Sequence, residues 1–241
     1  MTDNWIDYWN RKDSMTGQLW RSQSDFFVSR LTQEMTIGAE DVILDIGCGQ
    51  GHVIANLAPN VREAHGADTS EHSLAQARKA YENVTNLRFH ALPPDNYLAL
   101  DRLPVRNVTR ILCVSVVQYY HSLEELRTLI ANAKRIAAPG CLMLIADLLV
   151  DYSLYKDILG VLLGGLQSGT FLAKLREVIS GNHNLYARIR ANNPLLTMTR
   201  QDLEAICAQE NTTLRFIRGN LTGNLFRAHA LIDLFPATGG H

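Results

Sequence analysis

The sequence predicts an α/β protein with a doubly wound central sheet and helices on both of its faces. Apolar strand patterns alternate with amphipathic helix patterns from about residue 41 to residue 147, which is typical of a mostly parallel sheet. Three alternating glycines, Gly47, Gly49 and Gly51, join the first predicted strand to the first predicted helix. A strand, a glycine turn and a helix N-terminus together form a ligand cradle in doubly wound sheets.

The alternating elements follow one another closely along the chain. Pro59 ends the first helix of the series, and Pro139-Gly140 turns the chain into the fifth strand. Strands are predicted at about 41–46, 63–67, 87–92, 110–114 and 141–146, and helices at about 51–58, 73–80 and 123–137.

The end of the chain predicts one more helix and two more strands. Thr199 is the expected N-cap, with Asp202 three residues on, and the helix runs to about 209. Strands are expected at about 213–218 and 224–232. Their short link cannot be a parallel crossover, so the two strands should form an antiparallel hairpin.

Four segments are expected. Residues 1–36 form an aromatic N-terminal helical cap, 37–147 the ligand-binding core, 148–196 a helical lid inserted at the sheet edge, and 197–241 the final helix and strand pair. The cap either covers the edge of the sheet or folds over the ligand cleft. In the second case Tyr8 and Trp9 would face the ligand, and aromatic faces attract cations.

Composition narrows the class of protein. A chain of 241 residues with 46% hydrophobic content is sufficient for one globular domain. The net charge is −1, so the chain has no excess of the basic residues that nucleic-acid-binding proteins usually carry. The four cysteines form no C-x-x-C pair, which favours reduced thiols over metal ligands in a cytoplasmic protein.

No membrane or secretory segment is expected. The N-terminus lacks the basic and apolar regions of a signal peptide. The longest apolar stretch, 158–166, is too short to cross a bilayer. Because this stretch carries glycines, it is either the core of the lid or a contact between two copies in a homodimer.

The glycine turn predicts the charge of the ligand. Glycine accepts positive φ angles and lets a ligand lie against the backbone. The dinucleotide motif G-x-G-x-x-G needs a third glycine where this chain has His52. Asp45, at the end of the first strand, would repel a pyrophosphate but suits an ammonium or sulfonium group.

The pattern D-x-G-x-G-x-G over 45–51 resembles motif I of the class I S-adenosylmethionine-dependent methyltransferases, in particular the small-molecule type. The resemblance covers 40–147 well and 195–235 loosely. It implies a Rossmann-like sheet of seven strands in the order 3-2-1-4-5-7-6, with the last strand antiparallel. It also implies S-adenosylmethionine as the cofactor.

The predicted cofactor-binding residues lie mainly at strand ends. Asp68 comes about 20 residues after the glycine turn, where a ribose-binding acid belongs, although such an aspartate could also be only a helix cap. The resemblance implies that Asp95 meets the adenine amino group and that residues after the fourth strand line the transfer site. The full set is Tyr8, Trp9, Asp45, Gly47, Cys48, Gly49, Gly51, Asp68, Thr69, Asp95, Ser115 and Gln118.

The resemblance further implies in-line methyl transfer, in which alignment contributes up to about 7–11 kcal/mol. A general base is needed only if the acceptor must lose a proton. Many small-molecule members have histidine where this chain has Tyr119, so Tyr119 and His121 are the candidate catalytic residues. His183 and Tyr186 in the insert are further candidates for a base.

The expected acceptor is a small metabolite, methylated on oxygen, with no nucleic acid, membrane or metal involved. One alternative is a catalytically silent protein that binds S-adenosylmethionine or S-adenosylhomocysteine and regulates a partner. A nicotinamide-dependent oxidoreductase and an RNA-modifying enzyme also stay open.

Overall fold

The computed structural model describes residues 4–11, 17–153, 155, 159–160, 163–165 and 189–236. We number the elements of this part of the chain in order. The helices are α1 (Trp5–Arg11), α2 (Gly17–Glu34), α3 (His52–Leu57), α4 (Glu71–Ala80), α5 (Leu123–Ile136) and α6 (Arg200–Gln209). The strands are β1 (Val42–Ile46), β2 (Glu63–Asp68), β3 (Leu87–Ala91), β4 (Val108–Val114), β5 (Ala137–Leu148), β6 (Thr213–Phe216) and β7 (Ala228–Asp233).

The strands form one seven-stranded sheet in the order β3-β2-β1-β4-β5-β7-β6. Strands β1 to β5 pair in parallel, whereas β7 is antiparallel to both β5 and β6. The predicted strand order and terminal hairpin are confirmed. The order reverses between β1 and β4, and such a switch point opens a crevice at the carboxyl ends of the strands.

Helices cover both faces of the sheet. Leu129 of α5 belongs to the hydrophobic cluster on one face, and Leu31 of α2 belongs to the cluster on the other. Successive residues of β1 alternate between the two clusters, with Leu44 in the first and Ile43 in the second. All five residues of β1 are buried, as expected for a central parallel strand.

Helix α5 illustrates how sequence sets these elements. Its buried residues recur at helical spacing, at Leu126, Leu129, Ile130, Ala133 and Ile136. The side chain of Ser122 caps the helix by accepting the backbone N–H of Glu125 at 3.3 Å. Acidic residues occupy the first turn and basic residues the last, which complements the helix dipole.

The fifth strand differs from its predicted start. It begins at Ala137 rather than Cys141, because Ala137 pairs with Val108 before a register irregularity and Leu142 pairs with Arg110 after it. Pro139 and Gly140 therefore lie inside the strand, with Gly140 at a φ of 77°. The irregularity accommodates the proline without a separate turn.

The sequence left open whether the N-terminal segment covers the sheet or folds over the cleft, and its two helices do one each. Helix α2 packs on the sheet through Phe27 and Leu31, and Met35 packs there directly after the helix ends. Glu34 of α2 forms an ion pair of 3.0 Å with Arg215. Helix α1 instead reaches the crevice, as described below.

Part of the insert packs on the same chain. A side chain at Gly160 would collide with Asn224, and one at Gly164 would collide with the carbonyl group of Gly223. These two glycines thus permit close packing of the insert on the loop between β6 and β7. His183 and Tyr186 lie outside the described residues. No helix in the described part of the chain is long and apolar enough to cross a membrane.

Thr199 and Asp202 form the predicted cap at the start of α6. The Thr199 hydroxyl accepts the N–H of Asp202 at 3.1 Å, and the Asp202 carboxylate accepts the N–H of Thr199 at 2.7 Å.

We expect Thr199→Ala to lower the free energy of unfolding by about 1 kcal/mol, because α6 loses its cap. Urea unfolding measures the change. The control is Gln201→Ala on the exposed side of the first turn, and an equal loss in both variants would contradict the assignment.

Candidate active site

One cavity of about 440 Å³ lies at the carboxyl ends of β1, β2 and β4. Its lining comes from the glycine turn, the end of β2, the segment after β4, the N-terminal helices and the loop before β7. The lining residues used below are Trp5, Trp9, Phe27, Asp45, Gly47, Cys48, Gly49, Asp68, Thr69, Ser115, Tyr119, His121 and Thr222. The volume lies in the range typical of small-molecule sites, about 300–1,000 Å³.

The glycine turn lies against the end of β2. The N–H groups of Gly47 and Cys48 both donate to the carbonyl of Ala67, at 2.7 and 3.1 Å. Gly49 has a φ of 52°, and a Cβ built there meets no atom within 4 Å. Gly51 has a φ of 77°, and its Cβ would lie 2.6 Å from the Phe89 ring. Gly49 therefore leaves space in the cavity, whereas Gly51 permits packing of α3 against β3.

Asp68 links the turn to the start of α4. Its Oδ2 accepts the N–H of Gly49 and its Oδ1 accepts the N–H of Ser70, both at 2.8 Å. Burial raises the pKa of Asp68, while hydrogen bonds from the N–H groups of Ser70, Gly49 and Thr69 oppose the rise. A carboxylate offers about four acceptor sites, so Asp68 retains capacity for a ligand diol.

Asp45 lies in the cavity wall with only 3% of its surface exposed. Burial, with a contribution from the negative charge of Asp68, raises the pKa of Asp45 to about 8. No described residue forms an ion pair or hydrogen bond with its side chain. A cationic ligand group would supply the missing counter-charge, and this agrees with the charge that the sequence predicts.

An aromatic wall, made of Trp5, Trp9 and Tyr119, closes another side of the cavity. Asn4 caps α1 by accepting the N–H of Asp7 at 2.8 Å, and Trp5 and Trp9 then lie one turn apart. The ring of Tyr119 lies 4.8 Å from that of Trp5 and 5.7 Å from that of Trp9, between centroids. The wall thus joins α1 to the segment after β4.

The predicted site residues divide by location. Those that line the cavity are Trp9, Asp45, Gly47, Cys48, Gly49, Asp68, Thr69, Ser115, Tyr119 and His121. His121 is exposed, and its backbone N–H donates to Glu125 at 2.8 Å.

The structure places four predicted cofactor-binding residues, Tyr8, Gly51, Asp95 and Gln118, outside the lining. Tyr8 is buried in the aromatic cluster with Trp5 and Ile189. Asp95 is exposed on a tight turn in which the N–H of Asn96 donates to the Pro93 carbonyl at 3.0 Å.

Gln118 is buried, and its side chain bonds to residues of the same chain instead of lining the cavity. Its Oε1 accepts from Arg227 at 2.8 Å, and its Nε2 lies 3.5 Å from the carbonyl oxygen of Ser115. The side chain therefore links the segment after β4 to Arg227.

Sequence reasoning missed three lining residues of note: Trp5, Phe27 and Thr222. The spacing of Trp5 and Trp9, four apart on one helix, was a usable signal. Thr222 lies in a hairpin loop, where no periodicity predicts the direction of a side chain.

The position of Asp45 predicts how stability depends on pH. The folded-state pKa of about 8 lies above the ordinary aspartate pKa of 3.8. The folded state therefore binds more protons than the unfolded state, and its stability falls as pH rises through this window. Asp45→Asn removes this loss. As pH rises from 5 to 8, we expect the free energy of unfolding of the variant to increase relative to that of the wild-type protein. The relative increase is up to about 1.4 kcal/mol per pH unit.

Urea unfolding of both proteins at pH 5, 6, 7 and 8, without ligand, measures that difference. Asp95→Asn, on the exposed turn, serves as the control. A difference that stays constant across the four pH values would show that Asp45 has no raised pKa.

Comparison with solved structures shows the same fold in methyltransferases. The chain is 18% identical to a magnesium protoporphyrin IX methyltransferase from Synechocystis with bound S-adenosylhomocysteine, covering 95% of this chain and 91% of that one, with a TM-score of 0.54. It is 16% identical to an amino pentose methyltransferase from Micromonospora echinaspora with bound S-adenosylmethionine, covering 94% of each chain, with a TM-score of 0.54. An S-adenosylmethionine-dependent methyltransferase from Leishmania major is 12% identical, with coverage of 95% and 80% and a TM-score of 0.61.

Sequence comparison with curated proteins gives no match. Residues 43–140, however, match a family model described as a methyltransferase domain. This segment runs from β1 to the start of β5 and contains both the glycine turn and Asp68. The domain match over residues 43–140, the strand order and the glycine turn agree with the resemblance to class I S-adenosylmethionine-dependent methyltransferases that the sequence predicts.

Proposed function

We propose that the chain methylates a small-molecule acceptor on oxygen, with the methyl donor and the acceptor held in the one cavity. The observation that carries this proposal is the division of that cavity. One half holds the glycine turn with Asp68, and the other holds the aromatic wall. A nucleoside and an acceptor thus have separate places beside each other.

The residues of the first half fit the methyl donor. The open space at Gly49 leaves room for a ligand against the backbone. The free acceptor capacity of Asp68 suits a ribose diol, and the buried Asp45 suits a cation. The acidic lining is unsuited to the pyrophosphate of a dinucleotide, because like charges repel.

S-adenosylmethionine, when bound, supplies a methyl group on a positively charged sulfur that leaves as a neutral thioether. The chain itself holds and aligns the reactants. Asp68 and the glycine turn fix the nucleoside, Asp45 balances positive charge, and the aromatic wall excludes water and faces a cation. His121 and Tyr119 stay candidates for moving a proton, since both line the cavity.

The size of the cavity supports a small acceptor. A cavity of about 440 Å³ accommodates compact molecules, and both α1 and α2 contribute residues to its lining. The net charge of −1 gives no basic field to attract a nucleic acid. The cytoplasmic location and the homodimer through the insert stay predictions.

Turnover of small acceptors separates this proposal from a silent binding protein. The assay follows formation of S-adenosylhomocysteine from labelled S-adenosylmethionine across a panel of phenols, sugars and hydroxy acids. Turnover of at least one compound, with the label on oxygen, supports the proposal. With RNA added to the panel, tight binding of the methyl donor without turnover of any compound would favour the catalytically silent binding protein.

We expect Asp68→Ala to weaken binding of S-adenosylhomocysteine by about tenfold or more, because the ribose hydroxyls lose their acceptor. Calorimetry measures the dissociation constant. The control is Asp95→Ala, which removes an equal charge outside the cavity and should change the affinity less than twofold. If both variants bind like the wild-type protein, Asp68 does not hold the ribose.

Gly49→Val should abolish binding of S-adenosylhomocysteine, because the side chain fills the open space in the cavity. Gly140→Val is the matched control, since Gly140 also has a positive φ, a Cβ there meets no atom within 4 Å, and the residue lies outside the cavity lining. Circular dichroism checks folding of both variants, and calorimetry measures binding. A folded Gly49→Val protein with wild-type affinity would contradict the cradle.

A further inference from the structure

A polar cluster lies at the end of the cavity furthest along the sheet from β2. We call Ser115, Thr222 and Asp147 the acceptor floor. The Ser115 hydroxyl donates to Oδ2 of Asp147 at 2.8 Å, and the Thr222 hydroxyl donates to Oδ1 at 3.4 Å. Both hydroxyl-bearing residues line the cavity, whereas Asp147 lies behind them.

These contacts fix the polarity of the two hydroxyl groups. A hydroxyl has one proton to donate and two lone pairs. Because each proton points to Asp147, the oxygens of Ser115 and Thr222 face the cavity as acceptors. A ligand there must supply the O–H or N–H groups.

Other residues hold the Asp147 carboxylate in place. Arg227 forms an ion pair with its Oδ1 at 3.8 Å and donates to Gln118 at 2.8 Å. Ser115 and Asp147 also take positive φ angles, 59° and 69°, although neither is glycine. Such strain costs of order 1–3 kcal/mol per residue and is concentrated at functional sites.

The strand order assigns this cluster to the acceptor half. The glycine turn and Asp68 follow β1 and β2, whereas Ser115 follows β4, Asp147 lies at the end of β5 and Thr222 precedes β7. In the order β2-β1-β4-β5-β7, the acceptor floor therefore lies beyond β1, on the side away from the ribose-binding candidate.

The charge of the lining points the same way. Among the described lining residues, Asp45 and Asp68 are acidic, and none is lysine or arginine. A ligand carboxylate would meet hydroxyl oxygens with another carboxylate, Asp147, directly behind them. Its desolvation would then go uncompensated.

We propose that Asp147 is a positioning residue that orients Ser115 and Thr222 to select acceptors bearing a hydroxyl or amine and to reject carboxylates. The inference rests on the proposed function, because it concerns the acceptor half of the same cavity. It narrows the acceptor class by excluding compounds bound through a carboxylate.

Three indoles of matched frame test this selection, since each can pack on the aromatic wall. The probes are indole-3-ethanol, tryptamine and indole-3-acetate, titrated by calorimetry into protein saturated with S-adenosylhomocysteine. We expect the alcohol and the amine to bind about tenfold tighter than the acetate. Equal or tighter binding of the acetate would overturn the proposal. Failure of S-adenosylhomocysteine itself to bind would instead overturn the proposed function.

Two variants test the role of Asp147. Asp147→Asn keeps the shape and tolerates positive φ, but its amide N–H₂ group displaces a hydroxyl proton toward the cavity. Thr222→Val keeps the shape and removes one acceptor. We expect both variants to reduce the ratio of affinities between the alcohol or amine and indole-3-acetate, and Asp147→Asn to bring this ratio below twofold. The control is Thr213→Val, on the exposed face of β6, which should keep the wild-type ratio.

Affinity for S-adenosylhomocysteine in the same variants provides a readout that separates the two halves. A fall in this affinity with unchanged discrimination among the indoles would assign the cluster to the methyl donor and overturn the proposal. Discrimination that survives in both variants would overturn it as well.

Discussion

The bidentate use of the Asp68 carboxylate is the interaction on which the site depends. One oxygen accepts the N–H of Gly49 and the other accepts the N–H of Ser70. The same side chain thus fixes the glycine turn after β1 and the loop after β2, two segments that are far apart in sequence. Because both backbone segments meet at one carboxylate, Asp68 holds the two sides of the cradle together.

This arrangement concentrates negative charge where the strands end. Asp45 and Asp68 lie close enough for the charge of one to raise the pKa of the other, and burial adds to the effect. Such a pair is costly in the free protein, since two carboxylates share a poorly solvated space. A cationic ligand relieves this cost, so the same pair of carboxyl groups destabilises the free protein and favours the binding of a cation.

The fold was largely predictable from local patterns. Apolar runs of strand length, the helical spacing in α5 and the short link before β7 determined the element types, and the family resemblance supplied the strand order. The start of β5 was not predictable, since a proline next to a glycine normally indicates a turn. Here the pairing of Ala137 with Val108 overrides that local signal.

The site was predictable where geometry follows from the backbone. Gly49, Asp68 and Asp45 lie at strand ends, and the parallel sheet brings those ends together. Tyr8 and Gln118 were predicted to contact the cofactor but lie outside the cavity lining. The rotation of a helix or of a short turn decides whether a side chain points into the cavity, and the sequence pattern does not give this rotation. Asp147 also ends a strand, but its role depends on Thr222 and Arg227, which come from a loop with no regular pattern.

The loop between β6 and β7 serves two parts of the molecule at once. It supplies Thr222 to the cavity, and it receives Gly160 and Gly164 of the insert through contacts too close for any side chain. A side chain at Gly160 or Gly164 would therefore collide with the loop that supplies Thr222. Within this architecture, such a substitution meets that loop and not the residues around Gly49.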